Sequence, residues 1–123
     1  MKEKDKAAFF ITREIADRYQ GEETLYLAEL VERLNLLRDE ATVKRLFQKN
    51  VRELLLENDL ITDVQLGRIT DTALTAEGEA FGLSLMETKS KGGIPYHLIM
   101  FSEEAQKVIL QWFTAVDGNP TGD

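Results

Sequence analysis

The sequence predicts an α+β fold of three N-terminal helices, two β-hairpins and a C-terminal helix. Three observations predict it: apolar residues recur at helical spacing through the first half, two later stretches flank glycine-bearing turns, and a last amphipathic run follows a serine suited to cap it. The chain has 123 residues, 43% of them hydrophobic. That is enough for one core and too little for two ordinary domains. Residues 1–117 are therefore read as one domain, and the turn-rich residues 118–123 as a flexible tail.

Residues 5–19 place Ala8, Ile11, Ile15, Ala16 and Tyr19 at helical spacing, broadened by Phe9 and Phe10, and predict a first helix closed at Gln20-Gly21. Thr24 then caps a second helix with Leu27, Leu30, Val31 and Leu34 on one face, ending near Asn35. Asp39 offers a capping carboxylate and Glu40 an acid in the first turn of a third helix, 40–58. Its core side is Val43, Leu46, Phe47, Val51, Leu54 and Leu55, and the opposite stripe holds Arg45, Gln48, Lys49 and Arg52, interrupted by Leu56.

Residues 60–65 and 69–74 read as strands joined across Leu66-Gly67-Arg68. Thr75 caps a short helix through Phe81, closed by Gly82, although Gly78 inside it costs about 1 kcal/mol against alanine. A second hairpin pairs 85–88 with 94–101 around the turn 89–93, with Pro95 expected at a strand edge or start. Ser102 caps the last helix, whose stripe is Ala105, Val108, Ile109, Trp112, Phe113 and Val116.

The net charge is −7, which by itself argues against nucleic acid, because counterion release by Lys and Arg drives that binding. The charge is segregated, however. Residues 41–52 and 88–101 contain no acid and together carry +6, so the remainder carries −13. No apolar run is long enough for a membrane span, and the mixed-charge N-terminus lacks a signal-peptide core. The absence of cysteine excludes disulfides and thiolate chemistry and suits a reducing compartment, so a cytoplasmic location is expected.

Two adjacent helices, the second ending Leu54-Leu55-Leu56-Glu57-Asn58-Asp59-Leu60-Ile61, then a hairpin and Leu74-Thr75-Ala76-Glu77-Gly78, resemble a winged helix-turn-helix. Gly93 to Glu104 resembles the closing strand and helix of phage antirepressor C-terminal domains of the KilA-C type. The similarity covers roughly residues 24–113. It departs where those segments usually end in tryptophan, since this chain has Phe101 and its only Trp at 112. The resemblance implies regulation of phage or bacterial type and supplies neither a target nor a catalytic residue.

Arginine and glutamine pair with guanine and adenine edges while lysine neutralises phosphate, so the stripe Arg45, Gln48, Lys49 and Arg52 suits a recognition helix. A solvated helix face has the same composition. Lys89 and Lys91 at one hairpin tip and Arg68 at the other suit backbone contacts, or simply soluble turns. His97, the only histidine, lacks the partners of a zinc site and reads as structural. No catalytic motif is present, and no enzyme activity, cofactor or metal is expected. The residues 94–101 are apolar on both faces, with Tyr96, Leu98 and Met100 on one, so the domain core or a second subunit must cover each. The expected partner is DNA or a regulatory protein, with a homodimer as an open alternative to the monomer.

Overall fold

The computed structural model describes residues 5–21 and 23–115. In chain order the elements are β1 (Ile11–Thr12), α1 (Arg13–Ala16), β2 (Thr24–Tyr26), α2 (Leu27–Leu37), α3 (Gln48–Glu57), β3 (Ile61–Leu66), β4 (Ile69–Leu74), α4 (Ala76–Phe81), β5 (Leu83–Lys89), β6 (Pro95–Ser102), α5 (Glu103–Trp112) and β7 (Thr114–Ala115). The fold is mixed α+β. An antiparallel sheet of order β2-β6-β5, the β3-β4 hairpin and a two-residue parallel pair β1-β7 surround one buried apolar cluster. Leu30, Leu34, Val51, Leu55, Phe101 and Ile109 are its most deeply enclosed side chains.

The N-terminal helix expected over 5–19 shrinks to the single turn α1. Thr12 holds an extended conformation and its hydroxyl accepts from Ile15 N–H at 3.4 Å, so the helix begins only after it. Upstream, the extended chain lets Ile11 reach the core and Phe9 meet the Phe113 ring edge-on at 5.2 Å. The second helix begins at Leu27 rather than just after Thr24, which pairs with Ser102 in the sheet. Glu29 accepts from Tyr26 N–H at 3.0 Å, which is one half of a capping box.

The third helix starts at Gln48, not at 40. Asp39 caps a turn instead, accepting Ala41 N–H on its carboxylate and Val43 N–H on its carbonyl. Ala7 bridges Val43 in parallel, and Asn35 clamps the Leu46 backbone at both its N–H (2.8 Å) and its C=O (2.9 Å). Arg38 donates to Val43 C=O at 2.8 Å. Val43 and Leu46 are thereby buried from an extended connector, and Phe47, expected in the core, is 55% exposed.

From α3 onward the local signals and the structure agree closely. Asp59 takes a left-handed φ of 58°, with Asp59 N–H on Leu56 C=O and Leu60 N–H on Leu55 C=O, which is the Schellman arrangement. Gly67 (φ 64°) turns the first hairpin, Thr75 and Gly82 bound α4, Pro95 opens β6, and the Ser102 hydroxyl caps α5. On α5 the buried face is Ala105, Gln106, Ile109 and Leu110, rotated from the expected stripe. Gln106 is enclosed because Tyr19 donates to its Oε1 at 3.1 Å and it donates to Phe101 C=O at 3.1 Å. Val116 and the tail 118–123 lie outside the described residues.

Candidate nucleic-acid interface

The segment that enters α3 carries the densest positive charge of the described chain. Lys44 and Arg45 lie on the extended connector, and Gln48 and Lys49 in the first helical turn, which contains no acid. All four side chains are exposed, and Lys44, Arg45 and Lys49 form no ion pair among the described residues. Unsatisfied N–H groups and the helix dipole add further positive potential at that end of a ten-residue helix.

Arg52 does not belong to this surface. Its guanidinium turns back to the Asp63 carboxylate on β3 and donates to Thr72 Oγ1 on β4 at 3.0 Å. The expected stripe is thus divided: Arg45 precedes the helix, Gln48 and Lys49 begin it, and Arg52 fastens it to the β3-β4 hairpin.

That fastening sets the direction of the hairpin. β3 returns along α3, so Gln48, Arg52, Thr72 and His97 come together around a cleft of about 370 Å³. Asp71 on β4 meets His97 on β6, and both line a cleft with Ala73, Leu74 and Leu83. Arg68 lies at the tip of the β3-β4 hairpin, and Lys89 and Lys91 at the tip of the β5-β6 hairpin. Arg68, Lys89 and Lys91 are exposed there and form no ion pair among the described residues.

Asp71 joins the two hairpins. Its carboxylate accepts from His97 Nδ1 at 2.7 Å, from His97 N–H at 2.9 Å and from Thr72 N–H at 2.8 Å. The His97 ring bond outweighs burial, and with the two backbone amides it holds the Asp71 pKa below its ordinary value. The other ring nitrogen of His97 lies 3.9 Å from Glu87 Oε1. Asp71 was not singled out in the sequence, although it is the only charged residue of its strand. Among the described residues no three His, Asp or Glu side chains converge as a metal site requires.

No family model, curated protein or solved structure matches the chain. Its function must accordingly be read from its own surfaces. No helix among the described residues is long and apolar enough to cross a membrane. Beside the cationic entry to α3 lies a cleft of about 590 Å³ lined by Arg45, Phe47, Leu36, Glu32 and Glu40, with Leu36 79% exposed.

Proposed function

We propose that this chain is a nucleic-acid-binding regulatory domain of winged-helix type, which docks the N-terminal turn of α3 and its approach segment on DNA while the hairpin tips contact the backbone. The observation that carries the reading is the exposed, acid-free entry to α3, where Lys44, Arg45, Gln48 and Lys49 cluster, while Arg68, Lys89 and Lys91 are exposed at the two hairpin tips. The order α2, α3, β3, β4 supports it, although the ten-residue connector 38–47 is longer than the three or four residues of a tight helix-turn-helix. The acids elsewhere orient the approach by repelling DNA from the other surfaces.

A titration of duplex DNA at two salt concentrations tests the reading. Binding is expected to weaken with salt, and Arg45→Ala/Lys49→Ala is expected to lower the slope of log K against log salt by about 2, since each phosphate contact contributes about 0.9. Absence of binding at low salt, or a slope untouched by the double substitution, overturns it. The exposed Phe47 and Leu36 favour a second reading, in which the same end binds a regulatory protein. That reading predicts no DNA binding at low salt and loss of the protein complex on Phe47→Ala.

A further inference from the structure

The core packs against only one of the two apolar faces of β6, and on the other Tyr96, Leu98 and Met100 are half-buried. Register places Leu25, Leu83, Leu85, Ile99 and Phe101 together on the inner face of the β2-β6-β5 sheet, where all five belong to the core or pack against it. The outer face carries Tyr26, Met86, Tyr96, Leu98 and Met100, and none of these belongs to the core cluster or to the apolar residues packed on it. Tyr26 Oη reaches across the face to Met86 Sδ at 2.9 Å, and Met86 is 43% exposed.

The remaining outer-face positions are Thr24, Ser84, Thr88 and Ser102, so the whole face is free of charge. In a chain that is 30% charged, this is a distinct surface.

We propose that the outer face of this sheet docks against the same face of a second copy of the chain. Charge selects the occupant. Two copies, each at −7, repel one another, and acids stud the other elements: Glu29 and Glu32 on α2, Asp63 on β3, Glu77 and Glu79 on α4, Glu103 and Glu104 on α5. The uncharged face is where two copies approach at the least electrostatic cost. It gives a charged partner such as nucleic acid nothing to pair with, whereas a twofold contact matches the face to itself. Methionine and tyrosine are the residue types enriched in such contacts. The contact is small: strands of seven, eight and three residues make a footprint of roughly 300 Å², against about 800 Å² per partner in a standard stable interface. A footprint of that size fits a weak, transient dimer.

Sedimentation equilibrium on the full chain tests this, over about 10 μM to about 1 mM protein. The expected result is a monomer–dimer equilibrium that tightens as salt screens the repulsion, opposite in sign to the salt dependence of DNA binding, so the two proposals fail separately. Ser84→Glu, at an exposed hydroxyl position, is expected to weaken the dimer about tenfold or more by setting like charges together across the twofold contact. Met86→Glu serves as a second variant, and unchanged far-UV circular dichroism shows that each has folded. A chain that stays monomeric at high salt overturns the proposal. So does a dimer whose constant neither substitution changes.

Discussion

A helix interior rarely selects glycine, yet Gly78 sits in the middle of α4 because a Cβ there would lie 2.0 Å from the Leu60 carbonyl oxygen. The same carbonyl accepts Thr75 N–H at 3.2 Å, and Thr75 Oγ1 donates to Asp59 C=O at 2.6 Å. Gly78 is thus the contact point of α4 with the turn that ends α3. Gly78→Ala should raise the intrinsic helix propensity and still destabilise the protein by about 2 kcal/mol, because a backbone atom cannot yield as a side-chain tip can. Urea unfolding measures this, and a stability gain would refute the contact. The sequence exposes the glycine as an anomaly. Its cause is hidden, because the conflicting atom is 18 residues away and is brought there by folding.

Elements bounded by their own chemistry were legible, and those bounded by distant partners were not. Thr75, Gly82, Pro95 and Ser102 act on neighbours within four residues, so α4 begins and ends as expected and β6 and α5 begin so, whereas α5 stops at Trp112, short of the stripe drawn to Val116, and gives way to β7. The onset of α3 is set instead by the Asn35 clamp on Leu46 and the bridge from Ala7, and the apolar periodicity of 40–47 carries no trace of either. The first helix misled for a related reason, because Phe9 and Ile11 find their partners near the C-terminal end of α5. Contact between the two hairpins was equally invisible, and it rests on Asp71. Its folded pKa is depressed below that of an ordinary aspartate, so the stabilisation is complete above the unfolded value and is lost as pH falls through the lower folded pKa. Asp71→Asn should lower stability at neutral pH and flatten its fall below about pH 4. Denaturation midpoints measured across the acid range check this, and an unchanged acid limb would show that Asp71 does not couple the hairpins.

At the scale of the whole molecule, charge organises the surfaces. In a chain of −7, Lys44, Arg45 and Lys49 form an acid-free entry to α3, acids line the exposed sides of the helices, and one sheet face carries no charge. The residues of the cationic end were individually visible as acid-free windows. What the sequence could not supply was their division, in which Arg52 turns back to Asp63 and Thr72. The central claim is that helix and tips form one binding surface, and the salt dependence of DNA binding by Arg68→Ala/Lys91→Ala tests it most directly. A single surface predicts that this pair lowers the slope of log K against log salt by about 2, as Arg45→Ala/Lys49→Ala does, while Arg52→Ala leaves the slope unchanged. A slope that ignores the tip residues and responds to Arg52 would contradict the account.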